Sequence, residues 1–222
     1  TLGAGNPVVY FDRLHAAGVK VIPVVPSVKL AKRVEAAGAD AIVIEGMEAG
    51  GHIGTQSTMA LMTNVIPEVK LPVIAAGGIV DGRGVAAALL MGAAGVQMGS
   101  RFLLTDECGL HPKAKARIIE ATDTDSTATG VSRGYGVRGL KNVFTDKFLA
   151  LETSGAPQAE LDKLATGTNR LAAVDGDVEN GLVQVGQSLL PLRQIQPVRE
   201  VLAAIMADAG RLLSQAPELL KR

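Results

Sequence analysis

Four short runs of aliphatic, largely β-branched residues begin near residues 19, 41, 72 and 95: VKVIPVV, AIVIE, PVIAAGG and GVQMGS. Between them, apolar residues recur at helical spacing. Val9 to Ala16 stops at Gly18, and Val28 to Ala37 follows a Ser27 cap and stops at Gly38. A third helical pattern runs from about Ser57 to Val69, and a fourth from Asp81 to Met91, stopping at Gly92. Serine ahead of a helix offers an acceptor to its unpaired amides, and glycine behind it takes the left-handed conformation that ends the helix. Strand and helix therefore alternate at the spacing of βα units, which predicts a parallel sheet. The runs are apolar on both faces, as a helix-covered parallel sheet requires.

After the fourth run the alternation stops. His111-Pro112 opens a charged helix to about Ala121, and Thr122 to Gly136 reads as a polar stretch. Helical patterns return at Thr145 to Thr153 and Gln158 to Thr166; Gly176 to Gln187 reads as a loop, and Pro197 to Gln215 as a closing amphipathic helix. A complete (β/α)8 barrel takes about 250 residues. Here about four βα units fill residues 1–110, and the opening TLGAGNP reads as a loop that should follow a strand. The expectation is an α/β fold: the second half of a (β/α)8 TIM barrel at 1–110. A mostly helical extension at 111–222 would pack on the barrel and cover the active site.

Composition narrows the function classes. Hydrophobic residues make up 47% and aromatic ones 3%, so the core must be aliphatic. Lys plus Arg equals Asp plus Glu at 22 each, which points to neither nucleic acid nor an anionic membrane. Neither a spanning run nor a signal peptide is read. The single Cys108 excludes an intrachain disulfide framework and fits a reducing compartment, with the cytoplasm as the default.

Candidate chemistry collects where the runs end. In Ala41 to Gly54, AIVIEGMEAGGHIG, a buried strand ends at Glu45 and opens into a glycine loop carrying Glu48 and His52. Ligands bind at such carboxyl ends of parallel strands. An imidazole titrates near neutral pH and can serve there as general acid or base, or it can be merely structural. The next two run ends carry Gly77-Gly78 and Gln97-Met98-Gly99-Ser100. Glycines on consecutive strand ends let the backbone close on a phosphate, the alternative being that they only make tight turns. Neither a Rossmann fingerprint after a strand nor a P-loop is read, nor a serine-hydrolase elbow, nor a metal-ligand pair. His15 and His111 read as structural, and Cys108 as a packed thiol.

Together, Glu45-Gly-Met-Glu-Ala-Gly-Gly-His52-Ile-Gly, Pro72-Val-Ile-Ala-Ala-Gly-Gly-Ile79 and Gly95-Val-Gln-Met-Gly-Ser-Arg-Phe102 closely resemble the flavin-dependent enoyl-[acyl-carrier-protein] reductase II family. That family belongs with the nitronate monooxygenases, formerly 2-nitropropane dioxygenases, in one (β/α)8 superfamily. The resemblance extends through His111-Pro112, Arg138-Gly-Leu-Lys-Asn142 and Gly176-Asp177 to Gly186-Gln187. It implies bound FMN, with Gly77, Gly78, Gly99 and Ser100 on its phosphate. Glu45, Gly50 and Gln97, with the adjoining Gly51 and Met98, would complete the cofactor-binding set. His52 would stand beside the flavin ring as the catalytic residue, polarising a thioester carbonyl or relaying a proton. The implied activity is NAD(P)H-dependent reduction of enoyl thioesters on acyl carrier protein or CoA in fatty acid synthesis, with a homodimer among the assemblies it allows. The alternatives are oxidation of alkyl nitronates with O2 and an inactive fragment. Members often carry Thr at the position of Ser100, which keeps the hydroxyl. The flavin-clasping loop and amide residue of the superfamily's first strands have no counterpart in this chain.

Overall fold

The computed structural model describes residues 1–3 and 6–219. In chain order its elements are α1 (Phe11–Ala16), β1 (Val24–Val25), α2 (Val28–Ala36), β2 (Ile42–Glu45), β3 (Gly51–His52), α3 (Thr58–Val65), β4 (Val73–Ala76), α4 (Gly82–Leu90) and β5 (Gly95–Gln97). There follow α5 (Ser100–Leu103), α6 (Pro112–Glu120), β6 (Ser126–Thr129), β7 (Val137–Leu140), α7 (Val143–Thr153), α8 (Gln158–Ala165), α9 (Thr168–Ala173) and α10 (Val198–Leu219). The chain forms two compact units. One comprises Thr1–Glu48, Gly54–Met98 and Ala204–Arg222; the other comprises Ala49–Ile53 and Gly99–Ala203.

The first unit is an α/β structure with a four-stranded parallel sheet in the order β1-β2-β4-β5. Ile42, Val43, Ile44, Val73, Ala75 and Ala76 are all buried, which is why these strands carry no polar alternation. The Ser27 cap and the glycine stops act as read: the Ser27 hydroxyl accepts the Leu30 N–H, and Gly38 and Gly92 end α2 and α4 at φ of 93° and 96°. Asp81, which only marked the start of its helical pattern, also caps it, its carboxylate accepting the Arg83 and Gly84 N–H groups. The first run is the exception: only Val24 and Val25 are extended in a ladder, with Pro23 bridged to Leu2.

The second unit holds a three-stranded antiparallel sheet, β3-β7-β6, together with α5 to α9. This sheet corrects two expectations. The polar stretch Thr122 to Gly136 contains β6, where the β-branched Thr127 and Thr129 suit a strand; it pairs with β7 from Ser126↔Leu140 to Thr129↔Val137. Gly51 and His52 are not loop residues but a strand paired with Arg138 and Val137. A two-residue strand has no period to detect, and its partner lies far along the chain. The unit's apolar centre includes Phe144, Phe148, Leu161 and Leu182. Asn142 closes a capping box on α7, and its Nδ2 donates to Val178 O at 2.6 Å and Gly181 O at 2.7 Å, pinning the segment that leads to Gly186. Among the described residues no helix is long and apolar enough to cross a membrane.

Candidate functional site

In the first unit β2 delivers Glu45 at its carboxyl end. Its carboxyl is half-buried, and among the described residues no hydrogen bond or ion pair reaches it, so burial pushes its pKa up. Glu48 is already committed: both its oxygens lie 3.0 Å from the Thr58 N–H nitrogen. Gly77 and Gly78 turn the chain out of β4 at φ of 101° and 72°, where a side chain would be strained. A Cβ at Gly77 would stand 2.6 Å from Thr58 Oγ1, so protein packing already accounts for that glycine. Ala76 pairs with Gln97, which brings half-buried Gln97 and Met98 out of the sheet beside this turn.

Gly50, Gly51, His52, Gly99 and Ser100 all belong to the second unit. A Cβ at Gly50 would stand 2.7 Å from Val185 C, 2.8 Å from Val185 Cα and 2.9 Å from Gly186 N. The same Gly186 N–H donates to Ser100 Oγ at 2.8 Å. Two expected site residues therefore meet at one peptide, Val185–Gly186, which lies 86 residues from Ser100 in sequence. Because Ser100 accepts this bond, its hydroxyl proton remains for an acceptor. Among the described residues nothing lies within 4 Å of where a Cβ would sit at Gly99. The His52 side chain is exposed and, among the described residues, has no hydrogen-bond or ion-pair partner.

Arg138 is a residue that reading the chain for chemistry passed over. It stands opposite Gly51 in the β3–β7 ladder, buried at 5% exposure, with Nη1 3.3 Å from Ser126 Oγ. With the Gln187 amide turned to accept, its oxygen lies 3.3 Å from both terminal Arg138 nitrogens. A buried cation beside the histidine strand is a strong local charge; in the sequence Arg138 stands out only as part of Arg138-Gly-Leu-Lys-Asn142, with no role attached to it. Two other patterns exist and carry no chemistry. Gly130-Val-Ser132-Arg-Gly134 has GxSxG spacing, yet it is a surface turn in which Ser132 Oγ donates to Glu152 at 2.6 Å. Gly134, Gly136 and Gly139 have dinucleotide spacing but lead into β7, not into a helix. His15 contacts Asp40, and His111 caps α6 by accepting the Lys113 N–H, both structural tasks.

A family model described as nitronate monooxygenase matches residues 1–208. The structure is similar to FabK from Thermotoga maritima, with a TM-score of 0.93, 42% identity, and coverage of 98% of this chain and 69% of that one. An octahydroindene-carboxyl-CoA dehydrogenase of Rhodococcus jostii is 41% identical over 80% of this chain and 49% of its own length. A probable nitronate monooxygenase of Staphylococcus haemolyticus is 34% identical over 91% of this chain and 60% of its own length. The chain thus spans about half to three fifths of these curated relatives. It belongs to the nitronate monooxygenase family.

Proposed function

We propose that this chain is the flavin-binding part of an FMN-dependent oxidoreductase that reduces enoyl thioesters with NAD(P)H. Its parallel sheet would then be half of a (β/α)8 barrel. The observation that carries the flavin is the Gly99–Ser100 pair: an open Cβ-free position beside a hydroxyl whose oxygen is engaged by Gly186 and whose proton is free to be donated. That pair fits a phosphate oxygen. Glu45 fits as well, since a half-buried carboxyl that meets no partner among the described residues suits a ligand N–H or O–H donor. When bound, FMN supplies the hydride chemistry.

The rest falls to the chain's own residues. Ser100 holds the phosphate by donating its hydroxyl proton, and Glu45 accepts from the cofactor. The exposed His52 imidazole polarises the thioester carbonyl or delivers the proton to the α-carbon, a contribution of about 10²–10⁴ in rate. A thioester substrate, carried by acyl carrier protein or CoA, draws support from two relatives. One is FabK at 42% identity, and the other is a dehydrogenase whose name specifies a carboxyl-CoA.

The second reading is nitronate oxidation with O2, in which His52 serves as the base; the family description and the staphylococcal relative favour it. The deciding experiment loads the protein with FMN and desalts it. It then compares NADH consumption with crotonyl thioester against nitronate-dependent O2 uptake. A retained yellow chromophore with thioester-dependent NADH oxidation is expected. Rapid nitronate turnover without NADH would establish the second reading, and a colourless protein would remove both.

A further inference from the structure

Thr58 opens α3 and is buried at 6% exposure. Its hydroxyl oxygen lies 3.1 Å from Ala76 O, 3.0 Å from Gly77 O and 3.1 Å from Glu48 Oε2. Glu48 belongs to the turn after β2, and Ala76–Gly77 to the end of β4, so one hydroxyl bridges the carboxyl ends of two neighbouring strands. Glycine makes room for it on both sides. A Cβ at Gly46 would overlap Thr58 Oγ1, Thr58 N and the Glu48 carboxylate, and one at Gly77 would crowd the same Oγ1. The Gly46 N–H also donates to Ala76 O at 3.0 Å, closing the two strand ends on each other around Thr58. The hydroxyl carries a single proton for three acceptors, and the Glu48 carboxylate is held in place independently by the Thr58 N–H.

We propose that Thr58, oriented by Glu48, is a positioning residue for the cofactor. It holds the Glu45–Gly46 strand end and the Gly77–Gly78 turn in the arrangement that binds FMN, and this role rests on the flavin reading above. Neither residue touches the reacting atoms. The methyl of Thr58 contributes only volume, so the effect belongs to the hydroxyl, and Ser at this position retains it.

The test measures FMN affinity of the whole chain by flavin fluorescence, alongside amide hydrogen exchange of the cofactor-free protein at residues 45–48 and 76–79. Thr58→Val keeps the shape and removes the hydroxyl. It is expected to weaken FMN binding about tenfold and to speed exchange in both segments, because a buried carbonyl loses its donor. Exchange in α2 and α4 should stay at the parental rate. Thr58→Ser should remain within about twofold of the parent in both readouts. Parental FMN affinity in Thr58→Val, or equal losses in the Ser and Val variants, overturns the proposal. If Thr58→Val does not fold, Glu48→Gln carries the test, because its amide can no longer accept at both oxygens. FMN binding weakened by at least about threefold is then required, and parental affinity overturns the role. A parental chain that takes up no FMN removes the flavin reading and Thr58's role together. A parental chain that binds FMN beside an unaffected variant removes only the latter.

Discussion

Gly50 separates two explanations for a glycine-rich motif. If glycine is there to let a cofactor approach, an added methyl should weaken binding and leave the empty protein as stable as before. The structure requires the opposite order of events. At Gly50 the methyl would be forced to within 2.7–2.9 Å of Val185 C, Val185 Cα and Gly186 N, all backbone atoms that cannot rotate away. Ordinary carbon contacts lie near 3.5–4.0 Å, so the Val185–Gly186 peptide must retreat by about an ångström. That movement also pulls the Gly186 N–H off Ser100 Oγ. Overpacking of this kind costs about 1–3 kcal/mol, and a lost hydrogen bond adds about 1 kcal/mol. Thermal unfolding of cofactor-free Gly50→Ala should therefore fall by roughly 4–16 °C, at about 2–4 °C per kcal/mol for a chain of this size. Gly99→Ala is the control, because its methyl would enter open space at an ordinary negative φ of −100°. It should melt with the parent and lose only FMN affinity. A Gly50→Ala protein that melts with the parent would refute the packing account.

Two further predictions concern stability. Asn142→Ala removes the acceptor of the Thr145 N–H and the donor to Val178 O and Gly181 O. A lost cap costs about 0.5–2 kcal/mol and a stranded buried carbonyl about 1–3 kcal/mol, so chemical denaturation should report a loss of about 2–5 kcal/mol; a loss under about 1 kcal/mol would contradict the pinning role. Asp40 accepts from Lys20 Nζ at 2.7 Å and the Val21 N–H at 2.8 Å. The Lys20 bond, then the Val21 bond, lowers its pKa from 3.8 to about 2. A carboxyl held low in the folded state adds stability above its ordinary pKa and loses it as pH falls through the folded value. Melting temperature should therefore drop between about pH 4 and pH 2 with a slope that Asp40→Asn reduces, and an unchanged slope in that variant would count against the assignment.

The parts of the fold that could be read from the chain are those whose causes are local. The runs are strands at Ile42–Glu45, Val73–Ala76 and Gly95–Gln97 because continuous aliphatic residues suit a sheet covered on both faces. Ser27 and Asp81 cap helices with their own side chains, within three residues of the amides they serve. Glu45, Gly77 and Gln97 were legible as strand-end residues for the same reason: an aliphatic run that stops marks an edge.

What a glycine or an acid does at that edge depends on what faces it, and this only the tertiary structure decided. Glu48 looked like a neighbour for His52, but its carboxylate belongs to Thr58. Gly50 and Gly77 looked like openings for a ligand, but Val185 and Thr58 fill the space their missing side chains leave. His52 looked like a loop residue until β7, 85 residues further on, supplied Val137 as its partner in a ladder too short to leave a pattern. Periodicity and capping chemistry reach over a few residues, so the sequence by itself determined the parallel strands after the first and the helices between them, but not the antiparallel sheet β3-β7-β6. Close packing and non-local pairing have no local signature, and they alone decided which strand ends remain open to chemistry.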